Sequence, residues 1–309
     1  MDILMTMNTS HKHAAEKDIS GNLFPWFGLI FFFSVFFSCK PESLELKLPV
    51  EPSKPVLSAQ YTRFEGAGIL AMVLSNSFNP VSEPLRIDSL GLELDSSLIA
   101  TGAQVWIEGP GVAQYLPELD PGIYGSETID LQDGKQYQVS VSFGNHRLQA
   151  TTTKMQKVEM DSFAVFPDAG RKNLSVFIRF QDIPNQKNYY VINYTGSKKE
   201  PLPQDPDPDY IARRILEQNA GFDLLTDEGA DGKMQVFSKN MPIPSASDTF
   251  ALAITHISKG YYEFLSAQKK SGTLFNQLRA EVINFPGNVK GGYGYFELNE
   301  PDLKVIQLR

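Results

Sequence analysis

Apolar and polar residues alternate with a period of two along much of this 309-residue chain, the pattern of strands that bury one face. Gln136 to Phe143 (QYQVSVSF) places Tyr137, Val139, Val141 and Phe143 on one side, and Arg147 to Thr153 follows as its partner. Gly102 to Glu108 alternates too, with Ala103, Val105 and Ile107 opposite Trp106. Gly68 to Leu74 (GILAMVL) is apolar throughout and reads as a strand buried on both faces. Leu90 to Leu94 is a further short strand candidate, although Leu85 to Leu98 also admits a loop with a helical turn. Turn chemistry punctuates these runs at Gly109-Pro110-Gly111, at Asp120-Pro121-Gly122 and at Asp133-Gly134-Lys135, the last a hairpin-type signal. Short strands so spaced predict a β-sandwich over residues 57–155.

The pattern then starts again. Val158 to Phe166, Leu174 to Gln181 and Tyr189 to Tyr194 read as strands, the last two joined by Asp182-Ile183-Pro184-Asn185. Gln235 to Lys239 and Thr249 to Ile257 add two more, and the alternating tail Lys304 to Arg309 is predicted to close a sheet. Two segments carry helical spacing instead. Tyr210 to Gln218 has Ile211, Ile215 and Leu216; Gly260 to Lys270 has Tyr261, Phe264, Leu265 and Gln268 on one face and two lysines at its end. The expected fold is mainly β: an N-terminal β-sandwich followed by a second β-rich domain, 156–309, with one or two short helices, the better one at 260–270.

The N-terminus breaks this pattern. Phe24 to Phe37 is an apolar run of 14 residues, followed by Ser38 and by the only cysteine, Cys39. A spanning helix needs about 20 residues, whereas the apolar core of a secretory signal needs roughly 7–15. The run therefore reads as a lipoprotein signal peptide over 1–38, with Cys39 becoming a lipid-bearing N-terminus. An uncleaved anchor with an unmodified Cys39 is the alternative. Residues 39–56 are proline-spaced and read as a tether, with Leu44 to Leu48 alternating as an edge strand would.

Composition narrows the function. The chain carries a net charge of −8 and no basic stripe, which argues against nucleic acid as a partner. Beyond the leader the only histidines are His146 and His256. Metalloprotease, nucleophile-elbow and phosphate-loop motifs are all missing. Asp205, Asp207 and Asp209 alternate with prolines, and Asp227 to Gly232 opens like an EF-hand loop, but Gly229 and Ser238 stand where two calcium ligands would be needed. Both segments read as solvated turns. No catalytic residue, metal or cofactor is expected. The aromatic residues Tyr261, Tyr262, Tyr293, Tyr295 and Phe296, three of them set among glycines, are the candidates for ligand or partner contact, against the plainer alternative of a β core with glycine bends.

Several short motifs in order resemble a known family: the cysteine and its Glu-Leu-Lys-Leu-Pro tether, Gly102-Ala103-Gln104-Val105-Trp106-Ile107, Pro121-Gly122-Ile123-Tyr124, Gly134-Lys135-Gln136-Tyr137, Ala150-Thr151-Thr152, Tyr261-Tyr262-Glu263-Phe264-Leu265, and Asn288 to Gly294. Together they are similar to the Bacteroidetes lipoproteins catalogued as domain-of-unknown-function family 4249. The first domain resembles the transthyretin-like, carboxypeptidase-regulatory-like β-sandwich. The resemblance implies an outer-membrane lipoprotein without known catalytic residues, often encoded beside a TonB-dependent receptor. Lys40 and Glu42 resemble the lysine-plus-acid signal for export to the cell surface. The function so implied is non-enzymatic, an accessory of a TonB-dependent transporter in nutrient capture or uptake, held at the outer membrane through the lipid on Cys39. A structural or assembly subunit of an envelope complex is the alternative.

Overall fold

The computed structural model describes residues 53–64, 66–77, 98–168, 170, 172–198, 221–242, 247–271 and 285–308. The expected edge strand at 44–48, the candidates at 90–94 and 210–218, and Cys39, Lys40 and Glu42 lie outside them. The described residues fall within one compact unit, Val50–Arg309. They are mainly β, and none of their helices is long and apolar enough to cross a membrane.

Two sheets form the first sandwich. One contains β1 (Pro55–Phe64), β2 (Ala67–Asn76), β5 (Glu118–Asp120) and β6 (Ile123–Ser126); the other contains β3 (Gln104–Gly109), β4 (Val112–Leu116), β7 (Gln136–Phe143) and β8 (His146–Thr153). The alternation legible in the sequence is the packing: Val105 and Ile107 of β3, Tyr137, Val139 and Val141 of β7 and Leu148 of β8 turn inward, while Trp106 is 46% exposed. Gly109-Pro110-Gly111 makes the β3–β4 hairpin, with Gly111 at φ +76°, a conformation that suits a residue without Cβ. Asp133-Gly134-Lys135 does not make a hairpin. It lies on the connection from β6 to β7, which belong to opposite sheets. Its backbone bonds instead to Lys154 beyond the end of β8.

The second sandwich packs a three-stranded sheet, β9 (Met160–Pro167), β10 (Asn173–Gln181) and β13 (Met234–Pro242), against a four-stranded one. The latter is ordered β12 (Gly221–Thr226), β11 (Tyr189–Lys198), β14 (Ser247–Ile257), β17 (Asp302–Gln307). Leu174, Val176, Ile178 and Phe180 of β10 meet Tyr190 and Ile192 of β11 and Phe250, Leu252 and Ile254 of β14 in its core. The outer face of the four-stranded sheet is covered in part by α1 (Lys259–Ser271), whose Leu265 packs with Tyr189, Val191 and Ile257.

Before the last strand, the described residues 285–301 return to the first sandwich. β15 (Val289–Lys290) pairs with β8, and β16 (Tyr293–Tyr295) pairs in parallel with β1. Val289, Phe296 and Leu298 belong to the first core. A boundary drawn at residue 156 therefore separates most strands but not this segment. Buried Lys154 lies 3.3 Å from Glu300, which Arg63 and Lys157 also approach at 3.5 and 3.6 Å. The returning segment is thus held by apolar packing and by charge.

Candidate functional site

Where the two sandwiches meet, the described residues line a cleft of about 490 Å³, within the range of roughly 300–1,000 Å³ typical of small-ligand sites. Four elements build it. The outer face of the four-stranded sheet presents Val191 and Asn193 from β11 and Ala253, Thr255 and Ile257 from β14. Helix α1 presents Tyr261, Phe264, Leu265 and Gln268, spaced i, i+3, i+4, i+7 and hence on one helical stripe. Glu297, Asn299 and Pro301 come from the extended segment after β16, whose intervening Leu298 turns into the first core. The last wall is β1, through Ser58 to Tyr61.

Glu297 ties its own segment to the start of α1 and to β8. Only 3% exposed, its carboxylate accepts from Thr152 Oγ1 at 2.9 Å, from the Ser258 N–H at 2.9 Å and from Asn299 Nδ2 at 3.1 Å. Ser258 in turn caps α1, its Oγ accepting the Tyr261 N–H at 3.2 Å. Burial pushes the Glu297 carboxyl above its ordinary range, and the hydrogen bonds from Ser258, Thr152 and Asn299 only partly offset this. Asn299 is 9% exposed, and among the described residues its Oδ1 has no hydrogen-bond partner. An unpaired buried acceptor costs about 1–3 kcal/mol. Burial also pushes the Tyr261 hydroxyl up to about 12.

The predicted contact aromatics divide. Tyr261 lines the cleft. Tyr295 packs beneath it, with ring centroids 5.2 Å from Tyr261 and 5.6 Å from Phe264. Tyr262 lies against Tyr189 at 5.0 Å. Tyr293 is 44% exposed and stands beside Lys54, whose Nζ donates to its hydroxyl at 3.1 Å. Phe296 is fully buried in the first core, so packing replaces the contact role expected of it. The glycines around these residues serve the chain's crossing between sheets. Gly294 has φ +103°, and a Cβ there would lie 2.0 Å from the Leu57 carbonyl. Sequence reasoning missed Asn193, Thr255, Glu297 and Asn299; the alternation Phe296-Glu297-Leu298-Asn299 was the available signal for the last two.

The loop at Asp227–Gly232 is not a solvated turn throughout. Asp227 is 5% exposed, and its carboxylate lies with those of Asp182 and Asp231, oxygens within 4.8 Å of one another. Hydrogen bonds account for the placement. Asp182 accepts from Tyr190, from Asn188 Nδ2 at 3.1 Å and from the Gly232 N–H at 2.7 Å. Asp227 accepts from the Asn188 N–H at 2.8 Å, and Asp231 from the Asn185 N–H at 2.9 Å. His256 is buried beside Tyr190, and burial lowers its pKa. His146 is exposed at the start of β8.

The chain belongs to the family described as "Domain of unknown function (DUF4249)", whose pattern it matches over residues 43–301. Among curated proteins none matches it. Among solved structures it is similar to a DUF3823 family protein from Bacteroides ovatus, with 9% identity and a TM-score of 0.19 over 66% of this chain and 90% of that one.

Proposed function

We propose that the protein is a non-enzymatic lipoprotein of the outer membrane, exposed at the cell surface and anchored through Cys39, that captures a nutrient for a TonB-dependent transporter. The observation that carries this reading is the cleft: a mixed apolar and amide-lined cavity at which both sandwiches and α1 converge. Concave sites with an apolar lining and a few placed polar groups are where small ligands bind. The apolar run before Cys39 and the proline-spaced tether after it support the anchoring.

The test is a mild-detergent pull-down of the tagged protein from its own membranes, with mass spectrometry of what comes with it. A TonB-dependent barrel in stoichiometric amount is the expected result. An envelope assembly factor in its place would instead make the protein a structural subunit. Replacing Cys39 with Ala should move the protein from the membrane to the soluble fraction, because two or more acyl chains supply the attachment at about 0.8 kcal/mol per buried methylene.

A further inference from the structure

The lining of the cleft distinguishes a strand edge from a sheet face. Side chains alternate across a strand, so a cavity that looks onto a sheet face touches every second residue. β11 and β14 line the cleft in that way. β1 instead contributes Ser58, Ala59, Gln60 and Tyr61 without a break, although Ala59 and Tyr61 send their side chains into the first core. Unbroken lining means that the cleft meets the edge of β1, where backbone N–H and C=O groups project.

The strand pairing agrees. β2 pairs with β1 as far as Phe64, but β16 pairs with it only at Val56, Leu57 and Ser58. Gly294 of β16 lies against the Leu57 carbonyl. The two-residue period turns the backbone groups of Ala59 and Tyr61 toward the same side, past the end of β16. Among the described residues no backbone hydrogen bond joins Ala59–Arg63 to the segment that follows β16. Glu297 and Asn299 line the cleft from that segment, facing the free stretch of β1.

We propose that the cleft binds a short peptide in extended conformation, which adds to β1 as a strand where β16 leaves off. This names the substrate class of the capture site and rests on that reading of it. Main-chain groups of the peptide would complete the ladder at Ala59 and Tyr61, the mode by which extended peptides join exposed sheet edges. Ala59 to Tyr61, beyond the last β16 pair at Ser58, spans about 10 Å of strand, room for some three residues of a bound peptide. Alternate peptide side chains would rest on the Tyr261–Phe264 face of α1 and on the outer face of the four-stranded sheet. No lysine or arginine is among the cleft-lining residues described, and both oxygens of Glu297 are already engaged. An acidic peptide therefore meets no counter-charge, and uncharged peptides are the expected ligands.

The experiment titrates the full chain with capped, uncharged tetrapeptides, with the same peptides N-methylated at alternate residues, and with neutral disaccharides. Hydrogen exchange over residues 57–62 is followed in parallel. The expected result is binding by unmethylated peptides, slowed exchange at 57–62, and loss of both on methylation in one of the two registers. Gln268→Ala should weaken binding up to about tenfold, the worth of one hydrogen bond, and it keeps a good helix former at an exposed position. Disaccharide binding that Gln268→Ala weakens would overturn the peptide assignment and leave the capture site standing. Peptide binding without protection at 57–62, or indifferent to methylation, would overturn strand addition. If no probe of either class binds, the cleft is not a capture site and both readings of it fall, while the membrane pull-down still reports independently on the transporter.

Discussion

Asp223, on β12, accepts from two lysines of different elements: Lys239 of β13 at 2.6 Å and Lys269 of α1 at 2.7 Å. Burial alone would raise its carboxyl, but the hydrogen bonds and charges of Lys239 and Lys269 outweigh burial and hold it below the ordinary range. A depressed folded value contributes stability that is present above the unfolded pKa, about 3.9, and is lost as pH falls through the folded one. Asp223→Asn should therefore unfold earlier than the parent near neutral pH, and the gap should close as pH falls below about 4. Urea unfolding midpoints of both proteins across pH 3–7 would show it; a gap independent of pH would mean that the pair contributes nothing through its charge. Glu297 has the opposite sign. Its raised carboxyl favours the folded state while protonated, so its contribution is lost as pH rises from the unfolded carboxylate value through the folded one.

β16 shows how little sequence an element needs when its neighbours define it. It is three residues long, and it lies on β1 because Gly294 lets the backbone approach the Leu57 carbonyl at a positive φ. Gly294→Ala adds both a left-handed strain and a Cβ that has no room. It should cost about 1–3 kcal/mol, seen as a lower denaturation midpoint, and should quicken hydrogen exchange in 56–58. A midpoint equal to the parent's would show that β16 contributes no stability. The helix and most long strands were legible because their patterns are local. The stripe Tyr261, Phe264, Leu265, Gln268 was read from spacing alone and is the stripe that lines the cleft. Phe296 follows the plainer of its two readings, a place in the β core, and spacing could not decide between them because its burial depends on residues more than a hundred positions away. That β16 pairs with β1 only as far as Ser58 was illegible for the same reason. Nothing between Ser58 and Tyr61 records that β16 stops at Tyr295, and Asp133-Gly134-Lys135 carries hairpin chemistry regardless of which sheet its next strand joins.

At the scale of the whole molecule, the returning segment decides whether the two sandwiches are separable. Val289, Phe296 and Leu298 complete the first core, yet β17 begins at Asp302 and pairs with β14 in the second. Between them Glu300 meets buried Lys154, and Asp302 accepts the Met160 N–H at 2.8 Å. A chain cut after residue 157 would leave the first sandwich without β15, β16 and two of its fully buried side chains. Losing one large buried side chain costs about 3–5 kcal/mol, and whole-domain stability is only about 5–15 kcal/mol. The fragment 53–157 should therefore show no cooperative unfolding on its own. The same coupling predicts that the full chain melts in one calorimetric transition whose van't Hoff and calorimetric enthalpies agree. Two resolved transitions, or a fragment 53–157 that folds stably, would mean that the segment 285–300 merely rests on a finished sandwich. In that case the cleft it helps to wall would lose its rigid side, since Glu297 and Asn299 hold their places only as firmly as Phe296 and Leu298 hold theirs.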